Sequence, residues 1–381
     1  MKAAYISSEF DHSNPKVHHS IGYFLTESLK KELDDLQVLP AADRPSRILS
    51  KASVVLSKLF TGRKQIPVYQ PAILKALAAK NLGKLKETDT DLIFTFGAIN
   101  IAYLDDPRPK VFFTDATFPA VHEFYEYYSN LNKRTIFNAY QTDRDAFRRA
   151  ARIIFSSQWA AQSAIDNYDV DQSKIRVVQV GANFENTPQE PEIIKSVENR
   201  SRDELNLVFS GGDWKRKQGK KAVEVTKILN NKGIKTILNI IGNAPEISSS
   251  HREFIKPHGY IQKFTDEGYA KFKEVHLNSH FLLLLTRADC TPHAIPEANA
   301  FALPAITTNV GGIPEMIKDN ISGKIFYPEE SAGNIADYIA GIFKSGDNYS
   351  KMAFNAYSEY KSKLNWQTAA KSFKKIFEEI I

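Results

Sequence analysis

Apolar runs that alternate with helical segments are the feature that most constrains how this chain can fold. Runs such as "LIFTF" and "FLLLL" are continuously apolar, whereas "GKKAVEVTKILNN" has the apolar spacing of a helix. Strands without a polar face are typical of parallel sheets that helices cover on both sides. The alternation therefore predicts an α/β protein built on doubly wound parallel sheets.

The series of strands and helices is interrupted once before a second series begins. The stretch "ENTPQEPEIIKSVENRSRDE" is polar and shows no period, so it is predicted to be a linker. A chain of 381 residues also exceeds one hydrophobic core of ordinary size. We therefore predict two Rossmann-like domains that face each other across a cleft. The predicted segments are 1–186 for the first domain, 187–203 for the linker and 204–362 for the second domain.

The cysteine content and the first residues of the chain indicate the cellular compartment in which the protein is expected. Cys290 is the one cysteine, which excludes an intramolecular disulfide and a metal site built on thiolates. The start "MKAAYISSEF" enters a strand-like pattern directly, and "FLLLL" is far too short to span a bilayer. We expect neither export nor a membrane span, and a cytoplasmic protein.

The net charge of +6 is concentrated in one segment. Residues 41–86 hold ten Lys or Arg against one Asp, about +9, which leaves about −3 for the rest. Within 46–64 the pattern predicts an amphipathic helix with basic residues on one side and Leu59 on the apolar side. Two interpretations stay open: a packed surface helix, or a helix that rests on anionic lipid. Nucleic acid is not an expected partner because no aromatic platform accompanies the charge.

The stretch "ADCTPHAIPEANAFALPAITTNVGGIPEMI" at 288–317 is the best candidate for a binding site. Asp289 follows a predicted strand, at the edge of the sheet where open α/β proteins bind ligands. Pro296 fits the first turn of a helix, so the amides before it are expected to be free at the positive end of the helix dipole. Such amides suit a phosphate. They belong to His293, Ala294 and Ile295.

Two carboxylates flank that predicted phosphate site. Glu297 lies one turn into the helix, where it can accept hydrogen bonds from both hydroxyls of a ribose. Asp289 lies outside the helix, where it can hold the hydroxyls of a second polyol. Gly311 and Gly312 in the next turn admit close backbone approach. The arrangement of acid, amides and acid matches a nucleoside diphosphate sugar.

This stretch resembles the signature of an acid, seven residues and Glu of retaining glycosyltransferase family 4, whose members have the GT-B fold. "RIIFSSQWAAQSAIDNYDVDQSKIRVVQVGANF" resembles the end of that family's first domain, and "LVFSGGDWKRKQGKKAVEV" resembles its donor-diphosphate loop and helix. "NWQTAAKSFKKIFEEI" is similar to the last helix, so 363–381 is expected to return to the first domain. The resemblance covers nearly the whole chain.

The resemblance implies a role for each matching donor-side residue. Glu297 matches the Glu that binds ribose, and Asp289 stands near the donor sugar, where the family most often has Glu. Lys217 matches the lysine that neutralises the donor diphosphate, and Arg216 shares that charge. Gly212 occupies the position of an arginine that is common in the family.

In the first domain the resemblance points to Asp115 and to one loop. Asp115 of "FFTDATF" stands near a position where many relatives carry a histidine that faces the reacting sugar carbon. An alternative is that Asp115 caps a turn or a helix start. The first loop of the family is implied to face the acceptor. Its candidate residues here are His18, His19, Ser20 and Gly22.

The resemblance implies a retaining hexosyltransferase that moves a hexose from a UDP- or GDP-sugar to a glycan or lipid-linked acceptor. The expected setting is bacterial polysaccharide, lipopolysaccharide or glycolipid synthesis, in the cytoplasm or on the inner face of the plasma membrane. No metal or cofactor is expected, because Lys217, Arg216 and the amides of 293–295 can meet the charge of the diphosphate. "DTD" at 89–91 is rejected as a metal site because it precedes a strand instead of following one. Two alternatives remain: a catalytically weak GT-B partner or glycan-binding subunit, and a GT-B phosphorylase or epimerase.

Overall fold

The computed structural model describes residues 1–7, 21–40, 54, 57–59, 61–245 and 251–381. The chain divides into two compact units. Unit 1 consists of Met1–Gln179 and Ala369–Ile381, and unit 2 consists of Val180–Thr368.

Unit 1 is built on a parallel sheet of six strands in the order β2-β1-β3-β4-β5-β6. Its strands are β1 (Lys2–Ile6), β2 (Asp35–Leu39), β3 (Leu92–Phe96), β4 (Lys110–Thr114), β5 (Arg152–Phe155) and β6 (Ile175–Val177). Its described helices are α1 (Ile21–Leu29), α2 (Pro71–Leu85), α3 (Phe118–Val121), α4 (Lys133–Arg149) and α5 (Gln158–Asn167). The central strands are buried on both faces, as their continuous apolar sequences predict.

Unit 2 repeats the plan with six parallel strands in the order β12-β11-β10-β7-β8-β9. Its strands are β7 (Leu205–Ser210), β8 (Thr236–Ile241), β9 (Ile255–Gly259), β10 (Phe281–Leu284), β11 (Ala305–Thr308) and β12 (Gly323–Phe326). The helices from residue 190 onward are α6 (Glu190–Asn199), α7 (Gly219–Asn231), α8 (Asp266–Leu277), α9 (Ala294–Asn299), α10 (Ile313–Met316), α11 (Ala332–Lys344), α12 (Gly346–Ser362) and α13 (Trp366–Glu378). The predicted doubly wound α/β architecture is confirmed in both units.

The order of strands fixes where unit 2 can bind a ligand. From β7 the chain winds to β8 and β9 on one side of the sheet, and β10 then begins the other side. The order therefore reverses between β7 and β10. In open α/β sheets the crevice at the carboxyl ends of two such strands is the usual ligand site.

The core of unit 1 includes residues from the end of the chain. The ring of Phe94 in β3 lies 5.4 Å, between ring centroids, from each of Tyr5, Phe373 and Phe377. The ring of Phe113 in β4 lies 5.4 Å from Phe373. The last residues of α13 thus complete the hydrophobic core of this unit.

The segment 187–203, predicted as a linker because it is polar and shows no period, contains helix α6 and lies within unit 2. Its buried face is narrow, since Ile193 and Val197 are the buried residues of the helix. Two acids in the first turn suit the positive end of the helix dipole, and Ser196 Oγ donates to the carbonyl of Leu277 at 2.7 Å. An apolar stripe of two residues is too short to show as a period in sequence.

Much of the predicted basic helix at 46–64 lies outside the described residues, as do His18, His19 and Ser20. Within its described part, Ser57 is buried and its Oγ accepts a hydrogen bond from Asn132 Nδ2 at 2.7 Å. Leu59, predicted on the apolar side of this helix, is 75% exposed. Across the described ranges, no helix combines the length and apolar character that a bilayer span requires.

Candidate functional site

The loop between β7 and α7 begins with two glycines, and the first of them leaves room for Lys217. A Cβ atom on Gly211 would lie 2.2 Å from Lys217 Cδ, so the aliphatic stem of Lys217 lies flat across this position. A Cβ atom on Gly219 would lie 2.2 Å from the indole of Trp214, which covers the start of α7. Gly212 has open space around it. Small residues thus direct Lys217 along the carboxyl end of β7.

Lys217 meets Arg216 and Asp289 there. Lys217 Nζ lies 3.0 Å and Arg216 Nη1 lies 3.1 Å from the same oxygen, Asp289 Oδ2. Lys217 is 9% exposed and Asp289 is 8% exposed, so water screens the pair weakly. Asp213, whose side chain is 51% exposed, accepts from Arg216 Nε at 3.2 Å. This cation cluster therefore combines two cations, buried Lys217 and half-buried Arg216, with buried Asp289 and the more exposed Asp213.

The backbone of Asp289 is fixed by the glycine pair after β11. Gly311 has φ +54°, and a Cβ atom there would lie 1.9 Å from the carbonyl oxygen of Asp289. The amide of Gly312 donates to the carbonyl of Cys290 at 2.7 Å. The close approach that these glycines allow is therefore to the loop that carries Asp289.

Glu297 lies in α9 and forms an ion pair that the sequence did not reveal. Its Oε1 accepts from Nζ of Lys263, and Glu297 is 5% exposed. Lys263 lies between β9 and α8, with its Nζ 5.7 Å from the ring centroids of Phe264 and Phe272. The buried carboxylate is thus neutralised by a lysine that is 34 positions away in the chain.

The start of α9 differs from the prediction in one respect. The amide of Ile295 donates to the carbonyl of Pro292 at 3.1 Å, so the expectation that it is free is wrong. The reason is a tight turn that precedes the helix, which satisfies this amide within the chain. His293 is the N-cap residue, and its Nδ1 lies 3.0 Å from the carbonyl oxygen of Gly181. Ala294 is the first residue of this helix of six residues.

The candidate residues of unit 1 have separate positions. Asp115 is half-buried directly after β4, at the carboxyl end of that strand. Gly22 lies inside α1, where its carbonyl accepts from Thr26 Oγ1 at 2.8 Å, so its assignment to a loop is wrong. His122 stacks on Phe118 with a centroid distance of 5.3 Å. Within the described ranges, no group of three or more His, Cys, Asp or Glu side chains is placed to hold a metal ion.

Comparison with a family model identifies the domain that carries the cation cluster and Glu297. Residues 190–359 match the model described as Glycosyl transferases group 1. The chain therefore contains a domain of that kind, and it includes Arg216, Lys217, Asp289 and Glu297.

Curated relatives align with parts of the chain. Spore coat protein SA of Bacillus subtilis (strain 168) is 30% identical over 83 residues, which is 22% of either chain. An uncharacterized 41.2 kDa protein in the cps region of Klebsiella pneumoniae is 26% identical over 185 residues, 47% of this chain and 48% of that protein. The chain thus spans about half the length of the second relative and less of the first.

Solved structures match over the full length. Sucrose-phosphate synthase from Thermosynechococcus elongatus has a TM-score of 0.68 at 13% identity, with 100% of this chain and 99% of that chain covered. HepE of Anabaena in complex with UDP has a TM-score of 0.67 at 15% identity, with 100% of both chains covered. At such low identity the likeness shows the fold, which is GT-B.

Proposed function

We propose that this chain, which carries a Glycosyl transferases group 1 domain, transfers a hexose from a nucleotide diphosphate sugar to an acceptor hydroxyl. The observation that carries the proposal is the cation cluster of Arg216, Lys217 and Asp289 at the carboxyl ends of β7 and β10. Water screens the exposed Asp213, so two cations beside the single buried carboxylate of Asp289 suit a diphosphate. The fold is shared with HepE, whose structure is described in complex with UDP, which supports UDP as the first nucleotide to test.

The donor is proposed to bind across the cation cluster and α9. The diphosphate competes with Asp289 for Lys217 and Arg216, and the amides of His293 and Ala294 add hydrogen bonds at the start of α9. Glu297 holds the ribose hydroxyls while Lys263 neutralises the carboxylate. Asp289, released in part from the cations, accepts hydrogen bonds from hydroxyls of the hexose.

The proposed reaction retains the configuration of the anomeric carbon. The bond from that carbon to the diphosphate oxygen breaks, and a bond to the acceptor oxygen forms on the same face. The acceptor proton passes to a phosphate oxygen, so no enzyme nucleophile is required. Lys217 and Arg216 stabilise the negative charge that develops on the departing diphosphate, a role that many other enzymes assign to a metal ion.

The acceptor is proposed to be a glycan or a lipid-linked glycan of a bacterial polysaccharide, lipopolysaccharide or glycolipid pathway. The names of the two relatives, a spore coat protein and a protein of a cps region, support a surface polysaccharide. Asp115, at the carboxyl end of β4, is the proposed acceptor-side catalytic residue. Residues 46–64 are proposed to contact an anionic inner membrane surface, with exposed Leu59 as the supporting observation.

A nucleotide titration tests the donor site. Thermal unfolding of the wild-type chain is measured with UDP, GDP, UDP-glucose and GDP-mannose, where a ligand at 100 times its dissociation constant adds about 2.7 kcal/mol of stability. We expect one nucleotide series to stabilise the chain and Glu297→Ala to lose at least tenfold in affinity for it. Glu267→Ala is the matched control because Glu267 is an exposed acid in the same unit.

A second measurement separates a transferase from the alternatives. Release of free nucleotide from the donor sugar is followed with and without added acceptor glycans, in buffer containing EDTA. Release that depends on an acceptor supports a metal-independent transferase. Lack of nucleotide binding would instead favour a partner subunit, and epimerised donor would favour an epimerase.

A further inference from the structure

Unit 1 contains a cavity that the proposed donor and acceptor residues do not line. It is open to solvent, its volume is about 850 Å³, and it lies between α5 and residues 120–124 at the end of α3. Cavities of this size hold small ligands or short oligomers. The chemistry of its lining identifies the class of ligand.

Two aromatic side chains form one part of the lining. Phe124 and Trp159 are half-buried, with ring centroids 5.4 Å apart and ring planes at 41°. Trp159 also packs against the hydrophobic cluster that includes Phe112 and Ile153, which fixes its orientation. A rigid, partly exposed aromatic ring suits a ligand with an apolar face and a polar edge. A sugar ring is such a ligand, because its C–H groups form one face and its hydroxyls project from the edge.

Polar side chains follow α5 beside these rings. Gln158, Gln162 and Asp166 are exposed and spaced four residues apart, so they share one face of the helix. The row extends about 12 Å at 1.5 Å per residue, which accommodates more than one sugar ring. Amide and carboxylate groups match sugar hydroxyls, since each hydroxyl both donates and accepts hydrogen bonds. Gln162 Nε2 donates to Asp166 Oδ1 at 2.7 Å, so the two side chains are already ordered.

The charges of the lining select among sugars. Among the residues that line the cavity, the ionisable ones are His122, Glu123 and Asp166, and none is Lys or Arg. A phosphate, a nucleotide or a uronic acid would meet two carboxylates, and the one lining side chain that can carry a positive charge is His122, whose Nε2 already lies 3.7 Å from Glu123 Oε1. The Glu123 side chain is also ordered, because its Oε1 accepts a hydrogen bond from the backbone amide of Asn130 at 3.1 Å.

We propose that this cavity binds a neutral oligosaccharide in a site separate from the residues assigned to donor and acceptor. The binding does not depend on the proposed transferase activity, and it supplies unit 1 with a means to hold a glycan chain. Phe124 and Trp159 supply the stacking surface, and the polar row on α5 supplies the hydrogen bonds.

Saturation-transfer NMR and calorimetry with defined hexasaccharides test the proposal. The probes are maltohexaose, cellohexaose and chitohexaose, with hexagalacturonate as the anionic comparison. We expect at least one neutral hexasaccharide to bind, hexagalacturonate to bind at least tenfold more weakly, and Trp159→Ala to lose at least tenfold in affinity. Tyr127→Ala is the matched control, because Tyr127 is 64% exposed on the same segment and does not line the cavity.

A surface variant keeps the test informative if Trp159→Ala fails to fold. Gln162 is exposed, so Gln162→Ala retains the fold. We expect this variant to bind the hexasaccharide at least threefold more weakly. Gln172→Ala, outside the cavity, is expected to leave that affinity unchanged. The proposal is overturned if no neutral hexasaccharide binds, if hexagalacturonate binds as well as they do, or if Gln162→Ala binds like wild type. Hexasaccharide binding by a chain that binds no nucleotide would remove the proposed function and leave this inference intact.

Discussion

At Asp289 a single carboxylate oxygen accepts a hydrogen bond from Lys217 and forms an ion pair with Arg216, and this arrangement sets what each side chain can do. Lys217 and Arg216 are held 3.0 Å and 3.1 Å from Asp289 Oδ2, so both are ordered beside the carboxyl end of β7 before any phosphate arrives. Preordered charges cost little reorganisation when negative charge develops on a leaving group. Asp289 therefore both organises the cations and competes with the donor for them.

Replacement of Lys217 by alanine should depress turnover more than donor binding. Lys217 acts on charge that grows as the diphosphate departs, and loss of one such group costs about 100-fold in rate. Lys215→Ala is the control, since Lys215 is exposed in the same basic run. The readout is kcat and KM for the donor sugar. A Lys217→Ala enzyme with wild-type kcat would contradict the assigned role.

A buried acid in unit 1 should give stability a specific dependence on pH. Burial raises the pKa of Asp143 to about 6, although the carboxylate accepts from the amide of Phe118 and from the hydroxyl of Tyr168. A raised pKa means that the folded state binds the proton more tightly than the unfolded state. The contribution of Asp143 to folding stability is fully present below pH 4 and is lost as the pH rises through about 6.

The variant Asp143→Asn should not show the loss of folding stability that the wild type shows as the pH rises. At 1.36 kcal/mol per pKa unit, its stability relative to wild type should rise by roughly 3 kcal/mol from pH 4 to pH 7. Burial lowers the pKa of His276 and His280 to about 4, which acts in the opposite direction but is common to both proteins. Urea unfolding at each pH measures the difference, with exposed Asp169→Asn as control. A difference that stays constant with pH would show that Asp143 does not titrate as described.

The sequence identifies single site residues better than it identifies their partners. Asp289 and Glu297 were predicted from a strand end and a proline-opened helix, and Lys217 was predicted from the resemblance of its loop to the family's donor-diphosphate loop. Lys263 was not predicted, because its partner Glu297 is distant in sequence and the pairing depends on how the segment between β9 and α8 lies beside α9 in the fold. The amide of Ile295 was assigned to a ligand because a turn that closes on Pro292 leaves no mark in the pattern.

Among the elements, continuous apolar strands were the easiest to predict. β3, β4, β8 and β10 are buried along nearly their whole length, so their sequences carry little polar interruption. β2 was not predicted, because it lies at the edge of the sheet and one of its five residues is buried. α6 was missed for a related reason, since its buried stripe is two residues wide. Elements at the margin of a core carry weak patterns.

The turn between β11 and α10 provides a test of how an element fixes the site. Gly311 has φ +54°, and the Cβ atom that Gly311→Ala adds would lie 1.9 Å from the carbonyl oxygen of Asp289. We therefore expect this variant to lose at least about 1 kcal/mol of stability and to bind nucleotide more weakly. Gly341→Ala in α11 is the matched control, because it has open space and alanine favours a helix by up to about 1 kcal/mol. Thermal unfolding and nucleotide titration measure both variants. Equal effects of the two substitutions would show that the turn does not constrain Asp289.

At the scale of the whole molecule, both halves of the chain use the same plan of six parallel strands. The sequence predicts this because the β/α alternation restarts after a polar break. Local patterns do not predict which unit a terminal helix joins, because the contact between Phe373 and Phe94 links residues that are far apart in the chain. The apolar face of α13 shows that the helix is buried and leaves its partner undetermined.

The contact between Phe373 and Phe94 predicts that unit 1 can be destabilised separately from unit 2. Phe373 and Phe377 are fully buried against β3 and β4, and a buried Phe→Ala change costs about 3–5 kcal/mol. The double variant Phe373→Ala/Phe377→Ala should therefore destabilise unit 1, while the sheet of unit 2 keeps its stability. Hydrogen exchange at increasing urea measures this, and the amides of β1 to β6 should lose protection at lower urea than those of β7 to β12. Lys375→Ala on the exposed face of the same helix is the control. Simultaneous loss of protection in both sheets would show that the two units unfold as one, since the substituted side chains pack within unit 1.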